Sequence, residues 1–373
     1  VKLATRCNIS CRYCYWFRDG SVNDKPPVLT EAAEAALLLR LEEHIRKGRL
    51  HDFTILFHGG EPLLFGKARF VGLMDELERV AHATRCSISA SITTNGILVD
   101  EEWARVFRYY GISVALSIDG PAPIHDANRI DAKGLGTHAR VLRGLTHLRQ
   151  RGLEPAVLAV CDPESDPEGV CEYFVENLGV RRLDIMIPDA THEDTPLPVA
   201  PYYRKLFDLW YERYAPQGIS IRFVESVVKA LLGFSSGIEA VGYGPIQLVT
   251  VLTDGALEPL DVLRIAGEGS THTGYSVLTD DLESVSKSAV WREAYEASIE
   301  LSDVCMACQY RVPCGGGYLP HRWSDANRFN NPSVYCNDLK QIFGHAWDRI
   351  SGEIDVRVES TSLSLREAVQ GLP

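Results

Sequence analysis

No apolar run in the chain approaches the ~20 residues that a membrane-spanning helix needs, so no segment reads as a membrane span. There is no basic excess: 38 Lys and Arg stand against 50 Asp and Glu, and a net charge of −12 argues against nucleic acid as a partner. No signal-peptide pattern opens the sequence, and the expected location is the cytoplasm. Ten cysteines in a secreted chain would suggest disulfides, but seven of these fall into two ligand-like clusters, which favours metal binding. The rest of the composition is ordinary for a globular protein, and 373 residues suffice for one large domain and a smaller one.

The first cluster is also defined by something missing. Cys7-Asn8-Ile9-Ser10-Cys11-Arg12-Tyr13-Cys14 follows a short apolar run, Val1 to Ala4, and no fourth cysteine stands nearby. Three thiolates can hold three irons of a cubane 4Fe-4S cluster, leaving the fourth iron without a protein ligand. An open metal position is where chemistry happens, whereas a closed one is structural or carries electrons. The same spacing also suits a small zinc knuckle.

Apolar and amphipathic stretches then alternate as in a parallel βα repeat. Strands are expected at Lys2–Arg6, Phe53–Phe57, Ser87–Thr93, Ser113–Ile118, Ala156–Val160 and Leu183–Ile187. Helices are expected at Glu31–Lys47, Ala68–His82, Glu101–Tyr109, Thr137–Gln150 and Glu168–Asn177. The class is α/β, and six βα units are too few for a closed eight-stranded barrel; they suit an open, partial (β/α)6 TIM-like barrel. Functional residues of such barrels sit at the carboxyl ends of strands. His58-Gly59-Gly60-Glu61-Pro62, Thr93-Thr94-Asn95-Gly96 and Ser117-Ile118-Asp119-Gly120 all fall there. Two glycines let backbone approach a ligand, and a carboxylate behind them can accept from an ammonium. Asn-Gly and Asp-Gly are also everyday turn dipeptides. Arg129 can fork onto a carboxylate.

A Pro- and acid-rich stretch, Asp189 to Pro201, marks the end of the barrel. The aromatic stripe Tyr203, Phe207, Trp210, Tyr211 and Tyr214 on the next helix is expected in the core, and another helix is expected at Val224–Leu232. Further on, Cys305-x2-Cys308-x5-Cys314 and then Cys336 supply four thiols, enough to close a site around a zinc ion or a 4Fe-4S cluster. Cys86, Cys161 and Cys171 read as packed small hydrophobes.

These motifs together resemble the radical S-adenosylmethionine (SAM) enzymes that modify peptides, with a C-terminal SPASM-type iron–sulfur domain. The likeness runs through Cys7/Cys11/Cys14, Gly59-Gly60-Glu61, Ile124-His125-Asp126-Ala127-Asn128-Arg129, Gly134-Leu135-Gly136-Thr137 and the second cysteine set. It implies two 4Fe-4S clusters, one binding SAM at its open iron and one auxiliary. It implies SAM contacts at Tyr13, Gly59, Gly60, Glu61, Asn95, Ser117, Arg129 and Leu158. The full pattern has further thiols, where this chain has Tyr318 and the thiol-free hairpin Val251 to Asp261, so a single auxiliary cluster is expected. Asp261 matches an Asp that takes a proton from the radical intermediate in sulfatase-maturing relatives, and is the expected catalytic residue.

Gly315-Gly316-Gly317-Tyr318-Leu319-Pro320-His321-Arg322-Trp323 resembles maturases that build three-residue cyclophanes. The expected activity is therefore a crosslink between an aromatic ring and a β-carbon of a ribosomally made precursor peptide. The alternatives are sulfatase-maturase-like oxidation of Ser or Cys to formylglycine, or a non-catalytic iron–sulfur or zinc module. The implied partners are the precursor peptide and an electron donor such as flavodoxin or ferredoxin. Expected boundaries are a barrel at 1–190, a bridging helical region at 191–250, the auxiliary-cluster domain at 251–350, and a tail at 351–373 with a short helix from Glu359.

Overall fold

The computed structural model describes residues 1–352, so the helix expected from Glu359 lies outside the described residues. All six expected strands form, and they pair in one open, wholly parallel sheet in chain order. They are Lys2–Ala4, Asp52–Gly59, Ser87–Thr94, Ser113–Ser117, Ala156–Val160 and Arg182–Met186. A seventh strand, Ser220–Ile221, extends the sheet by pairing with Arg182 and Leu183. The sequence reading placed this strand inside a helical bridge. Two residues carry too little alternation to register as a strand.

Helices return the chain between strands, and their starts are written locally. Thr30 Oγ1 accepts from Ala33 N at 3.2 Å to cap Glu31–Gly48, and Asp100 accepts from Trp103 N at 2.9 Å to cap Glu101–Tyr109. Such caps are worth about 1 kcal/mol each. The helix Lys67–Thr84 buries Phe70, Leu73, Met74, Leu77 and Val80 against the sheet. Phe70 meets Phe57 and Trp103 edge to face, with ring centroids at 5.3 and 5.4 Å, which fixes two helices and a strand together. The expected aromatic stripe is core: Tyr203, Phe207, Trp210 and Tyr214 are buried, on Ala200–Leu209 and the wider turn that continues it. Cys86, Cys161 and Cys171 are buried in the same apolar core.

Beyond the sheet, Thr250–Val251 and Leu257–Glu258 form the expected antiparallel hairpin, and a 3-10 turn, Asp261–Ala266, follows. The last described helix, Cys336–Ile350, is anchored back onto the barrel. Its Asp338 accepts from the backbone N–H groups of Val199 and Ala200 at 2.7 and 2.8 Å, capping the helix that starts there. Among the described residues, no helix is long and apolar enough to cross a membrane.

Candidate active site

A cavity of about 1390 Å³ opens over the carboxyl ends of the strands. Cys7, Cys11 and Cys14 all line it, together with Tyr13, Gly59, Gly60, Asn95, Ser117, Arg129, Leu158 and Asp261. Short local structure holds the three thiols. Ile9–Cys11 pairs antiparallel with Arg129–Asp131, placing Cys11 opposite Arg129. Cys14 N donates to Cys11 O at 3.2 Å, and Cys14 then begins the turn Tyr15–Arg18. Burial pushes the Cys7 thiol up to about 12 and the Cys11 thiol up to about 11, the latter against the pull of Arg129. Three half-buried, neutral thiols on one cavity wall suit a metal centre, because coordination removes their protons outright. Among the described residues, no three His, Cys, Asp or Glu side chains close around a single-ion position. A cubane would ask for a different arrangement, one thiolate on each of three irons.

The glycines after the second strand line the cavity and also meet backbone behind them. A Cβ on Gly60 would lie 2.3 Å from Arg6 O, and one on Gly59 (φ +144°) would lie 2.2 Å from Ala4 O. They let the second strand close on the backbone that leads into Cys7. Glu61 stands behind them. It is fully buried and does not line the cavity. One oxygen accepts from Thr94 Oγ1 at 2.7 Å and Leu63 N at 3.1 Å, the other from Asn95 N at 2.9 Å. Three of its acceptor sites are thus taken by the fold, and burial raises its carboxyl to about 7. What Glu61 positions is Asn95, whose Nδ2 donates to Asn8 Oδ1 at 2.7 Å and lies 3.8 Å from Cys7 Sγ.

Arg129 does fork onto a carboxylate, but onto Asp119, through Nε and Nη2 at 2.9 and 3.1 Å. Its Nη1 lies 3.8 Å from Cys11 Sγ, and its guanidinium sits over the Tyr13 ring at 5.4 Å. Burial works against this charge, yet Asp119, Tyr13 and Cys11 outweigh it and hold the proton on. Asp119 also accepts from Tyr13 OH and Val160 N, so one buried carboxylate ties three strand ends together. Thr137 Oγ1 donates to Arg129 O at 3.0 Å and lies 3.0 Å from His125 Nε2, and His125 Nδ1 accepts from Asp119 N at 3.3 Å. Asp119, His125 and Thr137 were not among the expected site residues. Asp119 was hidden in an ordinary-looking Asp-Gly turn.

Opposite stands Asp261, at the start of its 3-10 turn. Tyr15 OH donates to its Oδ2 at 2.6 Å, and the Lys2 ammonium is paired with the same oxygen. Lys2 Nζ also lies 2.7 Å from His58 Nδ1 and 4.6 Å from the Trp16 ring centroid. Lys2 and His58 are register partners on adjacent strands, which is why their side chains meet. Burial pushes Asp261 up, but the Lys2 charge and the Lys2 and Tyr15 hydrogen bonds outweigh it and hold the carboxyl well below its usual range.

The second cysteine set converges too. Cys305, Cys308, Cys314 and Cys336 line one recess beside Gly316. Left-handed backbone at Gly315, Gly316 and Gly317 (φ 62, 81 and 81°) winds the chain past the recess. A Cβ on Gly315 would fall 2.1 Å from Gly242 C, and one on Gly316 would lie 3.6 Å from Cys305 Sγ. Burial, then the neighbouring thiols Cys305 and Cys336, raise Cys314 to about 12. Four thiols in one recess, not closed around a single-ion position among the described residues, suit a closed 4Fe-4S cluster with one thiolate on each iron. Where the resemblance would place further thiols, Leu260 and Tyr318 pack with Leu263, Leu319, Trp323 and Phe329 instead.

Comparison with known proteins places this geometry. A cysteine-type anaerobic sulfatase-maturating enzyme of Clostridium perfringens (strain 13 / Type A) is 28% identical over 357 residues, covering 92% of this chain and 94% of that protein. A serine-type anaerobic sulfatase-maturating enzyme of Klebsiella aerogenes is 31% identical over 184 residues, 48% of this chain and 43% of that protein. In structure, "Native anSMEcpe with bound AdoMet and Cp18Cys peptide" superposes with a TM-score of 0.82 at 24% identity, covering 94% of this chain and 96% of that one. The sequence model of the Radical SAM superfamily matches residues 1–168, the stretch that carries Cys7, Cys11, Cys14 and the strand ends around them. The chain thus matches the Radical SAM superfamily over residues 1–168 and shares its fold with that solved structure over 94% of its length.

Proposed function

We propose that the chain oxidises a Cys or Ser side chain of a peptide or protein substrate to an aldehyde, as formylglycine formation requires. The observation that carries this reading is the place of Asp261, on the wall of the same cavity as the three open thiols. The sulfatase-maturating relatives favour it over the crosslink that the Gly315–Trp323 run suggested. Cys7, Cys11 and Cys14 would hold a cubane, and the chemistry it would supply together with SAM is a 5'-deoxyadenosyl radical. Tyr13, Gly59, Gly60, Asn95, Ser117, Arg129 and Leu158 would line the SAM site, and Glu61 would support it from behind through Asn95.

The balance of the oxidation fits the residues present. A hydrogen atom leaves the substrate β-carbon for that radical. The thiol or hydroxyl proton passes to Asp261, a buried carboxylate kept ionised by its neighbours. The remaining electron needs an acceptor, and Cys305, Cys308, Cys314 and Cys336 would hold a 4Fe-4S cluster for it, backed by an external carrier such as ferredoxin or flavodoxin. A Ser gives the aldehyde directly. A Cys gives a thioaldehyde, which water converts to the aldehyde with release of hydrogen sulfide.

The crosslinking reading keeps one point in its favour, the apolar packing of Leu260 and Tyr318 where the resemblance would place thiols. One assay separates the two. Anaerobically reconstituted protein is given reductant, SAM and peptides carrying Cys or Ser. A product carbonyl trapped by a hydrazine reagent supports the oxidation. A product two hydrogens lighter that no hydrazine captures, with a bridged fragmentation pattern, turns the assignment to a crosslink.

A further inference from the structure

We propose that Lys2 is a positioning residue for the proton-accepting step: its ammonium, backed by neutral His58, holds the Asp261 carboxylate ionised and aimed into the cavity. This rests on Asp261 as the proton acceptor, and it assigns work to two residues of the sheet that the sequence reading did not use.

The geometry carries the inference. A lysine on the first strand of a buried sheet should point its charge to solvent or not occur there. Lys2 does neither: its side chain is 2% exposed, and it ends between Asp261, His58 and Tyr15. A buried ammonium is costly unless each N–H has a partner. Lys2 has three: the Asp261 carboxylate, the Tyr15 hydroxyl at 3.5 Å and His58 Nδ1 at 2.7 Å. An ammonium has no acceptor to offer, so His58 Nδ1 must carry the lone pair and the imidazole is neutral. Burial and the Lys2 charge both keep it so. His58 therefore leans the ammonium toward Asp261 rather than competing for the carboxylate.

The other groups around Asp261 work the opposite way. Glu239 from the loop before the hairpin and Glu258 on the hairpin are anionic neighbours; both feel the Asp261 charge. Tyr318 stands nearby from the glycine run, and Tyr15 donates from the turn after Cys14. Arg264, on the turn that Asp261 begins, is held by Asp19 and Glu258. The Val1 amino group lies near but donates to Leu56 O at 2.8 Å. Among the described residues, Lys2 is the cation that pairs directly with Asp261. Without it, a carboxylate buried beside two other acids would take up a proton and could accept none from substrate.

The test compares wild type, Lys2→Met, His58→Gln and Asp261→Asn holoenzymes across pH 5.5 to 9. The reading is aldehyde formed per deoxyadenosine released, which corrects each variant for cofactor loading and cleavage. Removing the contact cation leaves burial unopposed, and burial alone raises a carboxyl by up to about 3–5 pH units above its ordinary value. Lys2→Met is therefore expected to bring into this pH window an acid limb that the wild type lacks, and His58→Gln to do so less. In parallel, infrared difference spectra of Lys2→Met should gain a protonated-carboxyl C=O band that the Lys2→Met/Asp261→Asn double variant lacks. An Asp261→Asn variant that still makes aldehyde at the wild-type ratio would remove Asp261 as acceptor, and the proposed proton path with it. An inactive Asp261→Asn together with no acid limb and no new band in Lys2→Met would overturn the Lys2 assignment alone.

Discussion

Arg129 and Asp119 share two buried hydrogen bonds, at 2.9 and 3.1 Å, and this pair joins the cysteine loop to the sheet. Cys11 is the register partner of Arg129 in the small antiparallel ladder, and Arg129 Nη1 faces its sulfur. Replacing Asp119 by Ala leaves the guanidinium buried without its counter-charge, and such a loss typically costs about 3–5 kcal/mol. Asp119→Ala is therefore expected to lower the urea midpoint sharply and to weaken SAM binding. Denaturation and isothermal titration against the reconstituted protein check the two effects separately.

Much of this arrangement was legible in the sequence, and the misses share a cause. Spacing along the chain revealed Cys7, Cys11 and Cys14, the strand ends, and the four later thiols, because ligand sets and βα repeats are local patterns. What a side chain meets across strands is not local. Glu61 looked like a ligand for an ammonium, yet Thr94 and Asn95 from the next strand take its oxygens. Gly59 and Gly60 line the cavity, and nothing local revealed that they also admit the backbone at Ala4 and Arg6. Lys2 and Asp261 are 259 residues apart, and nothing near either predicts their ion pair.

Glu61 gives a pH dependence whose sign can be worked out. Burial raises its folded-state value from 4.5 to about 7. Between those values the folded protein holds a proton that the unfolded chain has released, so stability falls as pH rises through that window. The full cost above pH 7 is about 3 kcal/mol. Glu61→Gln should flatten the fall in melting temperature between pH 4.5 and 7. It should also loosen Asn95, since an amide NH2 cannot accept from Asn95 N. Melting curves of both proteins across that range decide it; a wild-type slope of opposite sign would contradict the assigned cause.

The two cysteine sets occupy separate recesses and should load independently. Two cubanes require about eight irons per chain. Cys308→Ala is expected to reduce iron to about half while deoxyadenosine release persists. Cys7→Ala should also halve the iron but abolish deoxyadenosine release. Iron analysis with a cleavage assay reads both. Zinc in place of iron at the second set would leave the Cys308→Ala iron content unchanged.

The orientation of Asp261 depends on a buried charge cluster one turn away. Arg264 is 1% exposed, with Nη1 on Asp19 and Nη2 on Glu258, and its guanidinium stacks 4.6 Å from the Trp16 ring. Trp16 follows Tyr15, and its Nε1 donates to Thr5 O at 3.0 Å, so the cluster joins the turn after Cys14 to the turn that begins at Asp261. Arg264→Met keeps much of the volume but strands two carboxylates out of water. A loss of about 3–5 kcal/mol is expected, partly recovered as pH falls, because burial already raises Glu258 above its ordinary value and the loss of Arg264 raises it further. A double-mutant comparison with Glu258→Gln measures the coupling. If the loss in Arg264→Met does not shrink when Glu258 is already Gln, the stability comes from the Trp16 stack rather than from the ion pair.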